Sequence, residues 1–150
     1  MKKFNIGLFG FGNVGRGLYD VLQQTEHSQA CIKRVCVRNL GKDRGGIDKA
    51  LFTDKADDIF NDPDINMVVE LISDSDASLR IVERALKEHK PVVTGNKHML
   101  ANHLEHLVAL QRETGTPLLY DASACGSIPV IRNLEEYYDN DLLVSVKGIL

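Results

Sequence analysis

Gly10-Phe11-Gly12-Asn13-Val14-Gly15 has the residue types and spacing to hold a phosphate group. It follows an apolar run with Phe4, Ile6, Leu8 and Phe9. It opens a helical pattern in which Val14, Leu18, Val21 and Leu22 share a face. A strand, a glycine turn and a helix in that order form the dinucleotide-binding fingerprint. The first glycine allows the sharp turn, the second lets the backbone approach a pyrophosphate, and the third lets the helix pack on the strand. The helix start then offers unpaired N–H groups and a positive dipole end. Gly10, Phe11, Gly12, Asn13, Val14 and Gly15 are therefore the first candidate cofactor contacts.

Two later segments also place reactive or small residues where strands end. Val92-Val93-Thr94-Gly95-Asn96-Lys97 puts an amide and an ammonium between a strand and a helix. Tyr120-Asp121-Ala122-Ser123-Ala124-Cys125-Gly126-Ser127-Ile128-Pro129 is a loop of small side chains, and Pro129 suits the first turn of a following helix. After the second strand come Val37-Arg38-Asn39, with Lys42 and Arg44 close behind and Asp43 among them. An NAD site usually has an acidic residue there. A guanidinium instead favours a 2′-phosphate, so Arg38 points to NADP, with NAD also usable. The alternative for this stretch is a solvated loop of mixed charge.

The elements that must position these residues alternate. Strand-like runs cover 4–9, 31–37, 66–72, 91–94 and 117–120, with a weaker one at 51–53. Helical periodicity covers 14–24, 79–86 and 100–108, and 57–60 reads as a helical turn closed by Asn61-Asp62-Pro63. This order predicts an α/β protein: a Rossmann-type, doubly wound parallel sheet in three αβα layers. Right-handed crossovers put the loops that follow the strands on one edge, where ligands bind. The most loop-like stretch is 39–49.

Composition limits the alternatives. The chain has 150 residues, a hydrophobic fraction of 43% and a formal net charge of −3. That suits one domain with its own core and gives no electrostatic reason to expect nucleic acid or an anionic membrane surface. No apolar stretch approaches the roughly 20 residues of a membrane span. The first strand begins at once, which leaves no room for a signal peptide and points to the cytoplasm. Cys31, Cys36 and Cys125 form no CxxC pair. Cys31 and Cys36 fit a buried strand, and Cys125 reads as a structural thiol in its loop. His98, His103 and His106 read as exposed helix residues with no third metal ligand beside them.

Val69-Glu70-Leu71-Ile72, the stretch 93–101 and the stretch 120–132 resemble the amino-terminal half of homoserine dehydrogenase. That family runs roughly V-E-L-I-G-G, V-T-A-N-K-x-L-L-A and Y-E-A-S-V-A-G-G-I-P-I-I-R, in the same order and spacing. The resemblance covers essentially the whole chain. It implies NAD(P)-dependent interconversion of homoserine and aspartate 4-semialdehyde, in threonine and methionine synthesis. Lys97 would then be the catalytic residue, reaching the nicotinamide–substrate junction. Ser73, Thr94 and Lys97 would join Arg38 and the glycine loop as cofactor contacts. Asp121 and the carbonyls of Ala124, Gly126 and Ile128 would hold a monovalent cation such as Na+.

Departures from the family pattern are Ser73-Asp74 for Gly-Gly, Gly95 for Ala and Asp121 for Glu. Asp74 and Asp76 add negative charge beside the cofactor path, and the shorter Asp121 has less reach toward a cation. The resemblance divides the chain into a Rossmann domain over 1–140 and, over 141–150, the start of a truncated substrate and dimerisation domain. It implies a homodimer in the full-length enzyme, and an apolar, association-prone end at 142–150. The competing function is a stand-alone nucleotide-binding or redox-sensing module without catalysis, which would need neither Lys97 nor the 121–129 loop.

Overall fold

Strand β1 (Phe4–Phe9) is paired on both sides, with β2 (Ala30–Cys36) and β4 (Met67–Glu70). Beyond β2 lies β3 (Phe52–Thr53), and beyond β4 lie β5 (Val92–Thr94) and β6 (Leu118–Leu119). This computed structural model describes residues 3–126, 128–137, 144, 145 and 147, with backbone alone at Cys125 and Glu135. Every pairing is parallel, and the strand order is β3-β2-β1-β4-β5-β6. The chain therefore has the Rossmann-type, doubly wound sheet expected, with its switch point between β1 and β4.

Alternation along the strands sorts the core into two layers. Ile6 and Leu8 join Val35, Val37 and Val69 on one face, with Leu18 and Leu22 of α1 (Asn13–Gln24) packed against them. Phe9, Val68, Val92 and Leu118 lie on the other face. They meet Ile59 and Phe60 of α2 (Asp57–Phe60), Val82 and Leu86 of α3 (Ser75–Lys87), and Met99 and Leu107 of α4 (Lys97–Thr114). Phe9, Ile59, Leu86, Met99 and Leu107 are fully enclosed. Each contributes about 1.5–3 kcal/mol of apolar transfer free energy. Polar caps fix where the helices begin. Asp74 accepts from the Ala77 N–H at 2.9 Å, and Asn96 accepts from the Met99 N–H at 2.9 Å. Helix α4 ends on Gly115 in the left-handed conformation.

Several expectations are revised. Strand β2 ends one residue and β4 two residues before their apolar runs, whereas β5 ends at Thr94 as expected. Val14 and Val21 lie 68% and 60% exposed, so the inward face of α1 is carried by Gly15, Leu18 and Leu22 instead. Cys31 and Cys36 are half-buried rather than core thiols. The segment taken as loop begins with a short helix, α5 (Asp121–Cys125). The Ser123 backbone N–H and hydroxyl both donate to the Tyr120 carbonyl, which closes that turn. Helix α6 (Val130–Tyr137) follows Pro129 as anticipated. The expected domain boundary at 140 and the apolar end at 142–150 fall almost wholly outside the described residues.

The close packing of α2 on β1 depends on a missing side chain. A Cβ on Gly7 would come 2.3 Å from Ile59 Cγ2 and 3.1 Å from Ile65 Cγ2. Gly7→Ala should therefore destabilise the fold by about 1–3 kcal/mol, the usual cost of overpacking a core. A urea unfolding midpoint unchanged from the parent protein would refute the contact.

Candidate functional site

The ligand edge of the sheet carries a groove of about 660 Å³ above the ends of β1, β2 and β4. Gly10, Phe11 and Gly12 line it after β1, Arg38 and Asn39 after β2, and Leu71, Ile72, Ser73 and Ala77 after β4. This is the switch-point crevice in which open α/β sheets bind nucleotides.

The three fingerprint glycines have different reasons to be glycine. Gly10 has φ +94, and a Cβ there would lie 2.8 Å from the Leu71 carbonyl oxygen. A Cβ on Gly15 would lie 2.4 Å from the Gly10 carbonyl oxygen. Both are required by the chain's own packing. At Gly12 a Cβ would meet no protein atom within 4 Å. Gly12 also caps α1 without any side-chain acceptor, so the first-turn N–H groups have no cap from it. Its missing side chain keeps open the space in front of a helix start, which is what an approaching pyrophosphate needs. Asn13 and Val14 are exposed at that start, whereas Phe11 stacks edge-on against Phe52 at 5.1 Å and Tyr19 at 5.8 Å.

Arg38 sits on the β2 side of the groove with its side chain 77% exposed. Its Nη2 donates to Asp74 Oδ2 at 2.8 Å, across to the start of α3. The Ala77 backbone N–H and then the Arg38 guanidinium hold the Asp74 carboxyl below its ordinary range. Lys42 and Arg44 also line the groove. Arg44 lies 4.5 Å over the Phe52 ring and donates to the carbonyls of Asn39 and Lys42, so its fork is already engaged. Cys36 lines the groove floor, where burial first, then Asp54 and Asp58, push its thiol up and make it a poor nucleophile.

The residue that organises the edge is one that residue patterns alone gave no role: Glu70. Its side chain is completely buried at the end of β4. It accepts from the Ile72 N–H at 2.7 Å, from Thr94 Oγ1 at 2.6 Å and from the Ser78 hydroxyl. Thr94 in turn accepts from the Asn96 N–H at 3.2 Å, and Asn96 Nδ2 donates to the Ile72 carbonyl at 3.1 Å. One network thus ties the groove wall at Ile72 to the turn that starts α4. An acidic residue ending an otherwise apolar strand was the available signal.

That network revises Thr94. Its side chain is fully buried and turned to Glu70, so it supports the turn and offers no hydroxyl to a ligand. Ser73 is exposed and lines the groove. Lys97 is exposed at the first position of α4, directly after the pinned Asn96. Asp121 Oδ1 accepts from the Arg132 N–H at 3.2 Å, and the Ile128 carbonyl accepts from the Val130 N–H at 2.8 Å. Two of the four residues expected to hold a cation therefore also accept N–H groups at the start of α6. His106 contacts Glu83 at 2.7 Å, and among the described residues no group of three or more His, Cys, Asp or Glu could hold a metal.

Comparison with known proteins agrees with this geometry. The family described as the NAD-binding domain of homoserine dehydrogenase matches residues 10–121. Homoserine dehydrogenase of Bacillus subtilis strain 168 is 34% identical over all of this chain, which spans 36% of that protein. The Helicobacter pylori enzyme is 33% identical over 99% of the chain, again 36% of its own length. The crystal structure of a homoserine dehydrogenase from Thiobacillus denitrificans superimposes with a TM-score of 0.76 at 32% identity, covering 90% of this chain and 33% of that one. The chain thus spans about a third of the length of these relatives. In sequence and in fold, it belongs to the homoserine dehydrogenase family and comprises that family's NAD-binding domain.

Proposed function

We propose that this chain is the cofactor half of an enzyme that interconverts homoserine and aspartate 4-semialdehyde with NAD(P). The single observation that carries the reading is the open space before Gly12 at the α1 start, within a family whose relatives bear the enzyme's name. The fold itself does not require glycine there. A bound pyrophosphate does. The adenosine ribose then lies toward Arg38, whose guanidinium suits a 2′-phosphate, and the preferred cofactor is NADP. Ser73 lies on the opposite wall.

When bound, the nicotinamide accepts or supplies the hydride. In the oxidising direction a hydride passes from the carbon bearing the homoserine hydroxyl to the bound cofactor, the hydroxyl proton passes to solvent water, and the C=O bond forms. The ammonium of Lys97 stabilises negative charge on that oxygen and joins the proton relay. The Glu70–Thr94–Asn96 network fixes the backbone from which Lys97 projects. We place the remaining substrate contacts and the homodimer interface in the part of such an enzyme that these 150 residues do not contain. A monovalent cation held by Asp121 and the carbonyls of Ala124, Gly126 and Ile128 would take no part in these steps.

Two measurements on the intact protein test the reading. Gly12→Val should abolish binding in an NADPH fluorescence titration while leaving the circular dichroism spectrum of the fold intact, since a Cβ there meets no protein atom within 4 Å and the poorer cap costs only about 1 kcal/mol. Retained affinity in that folded variant would remove the pyrophosphate from this site. Lys97→Ala should lower kcat by roughly 10²-fold or more, the usual size of acid–base and electrostatic contributions. The NADPH dissociation constant should change far less. A near-normal kcat would demote Lys97 to a surface residue of the helix start.

A further inference from the structure

The two oxygens of Asp74 have separate tasks. Oδ1 caps α3 through the Ala77 N–H, and Oδ2 accepts from Arg38 Nη2 across the groove mouth. Its neighbours Ser73 and Ala77 line one wall of the groove, and Arg38 lines the other. Both partners remain well exposed, at 77% for Arg38 and 43% for Asp74. Such a pair is weak and exchanges readily with solvent. It nevertheless cancels one positive charge at the place where Arg38 would meet a 2′-phosphate. Of the other two basic residues lining the groove, Arg44 is engaged with Phe52 and two loop carbonyls, which leaves Lys42.

We infer that Asp74 is a specificity-determining residue that lowers the preference for NADPH over NADH by engaging Arg38 in the free protein. The inference rests on the reading of Arg38 as the 2′-phosphate contact. A cofactor bearing that phosphate must draw Arg38 away from Asp74, or bind with a carboxylate beside its dianion. A cofactor with a free 2′-hydroxyl meets neither cost. The ion pair is thus a bias on cofactor choice and leaves the pyrophosphate site untouched.

Asp74→Asn separates the two tasks, because an amide oxygen still caps α3 while the charge is gone. The dissociation constants of NADPH and NADH are measured by fluorescence titration of the intact protein, its Asp74→Asn variant, its Arg38→Ala variant and the double variant. Asp74→Asn should tighten NADPH by about two- to fivefold, the scale of one exposed ion pair, and leave NADH within error. That gain should disappear in the Arg38→Ala background. Equal changes for both cofactors, no change, weaker NADPH binding, or a gain that survives without Arg38 would each overturn the inference. If Arg38→Ala alone leaves the NADPH-to-NADH ratio unaltered, the 2′-phosphate reading itself falls. If Arg38→Ala lowers the ratio and Asp74→Asn does not raise it, only the role of Asp74 falls. Asp74→Ser, also a good cap, replaces the asparagine variant if that one unfolds.

Discussion

A carboxylate sealed from water is stable only if its lone pairs are filled by donors, and Glu70 meets that condition at the centre of the ligand edge. Its donors come from three places: the Ile72 backbone, the α3 hydroxyl of Ser78, and the β5 hydroxyl of Thr94. None of these segments can shift without leaving a buried acceptor unfilled. The arrangement therefore acts as a three-way clamp. It holds the wall of the groove, the helix behind it and the next strand at fixed mutual distances. A network of this kind confers definition of geometry more than raw stability.

Around that rigid junction the groove has one packed wall and one adjustable wall. The Gly10–Leu71 contact and the Gly15–Gly10 contact lock the glycine turn against the β4 loop. The opposite wall is a long polar loop, with Arg44 stacked on Phe52 and Arg38 reaching over to Asp74. The invariant part of a dinucleotide, its pyrophosphate, would meet the rigid side. The variable part, the 2′ substituent, would meet side chains that can rearrange at small cost. Recognition of what is common and discrimination of what differs are thereby assigned to different mechanical environments.

Much of this was legible in the residues. Runs such as Phe4–Phe9 are largely apolar because parallel strands are covered on both faces, and that made the fold class readable, though not the strand order. The glycine turn could be placed because it depends on neighbours in the chain. What could not be read depends on residues far apart in sequence. Thr94 looked like a ligand contact until Glu70, 24 positions earlier, was found to engage its hydroxyl. Arg38 gave no hint of Asp74, 36 positions later. The Asp121–Cys125 helix was missed because small residues suit a loop and a helical turn alike. Val14 and Val21 misled for a related reason: helical spacing identifies a stripe but not whether the sheet beneath is wide enough to cover it.

Among the described residues, both borders of the sheet are made by strands of only two residues, β3 and β6, whereas the strands just inside them are longer. Among these residues β2 meets β3 only at Val35 and Cys36, so its first five residues keep an open outer edge in the folded sheet. The nascent polypeptide exposes more. Strand β1 cannot pair with β4 until about 60 further residues have been made, as the Ile6–Met67 register shows. Until then the six residues of β1 and the seven of β2 carry open edges. Vulnerability to mispairing is greatest in the interval of synthesis and falls on closure, so chaperone demand should track translation rate more than the amount of folded protein.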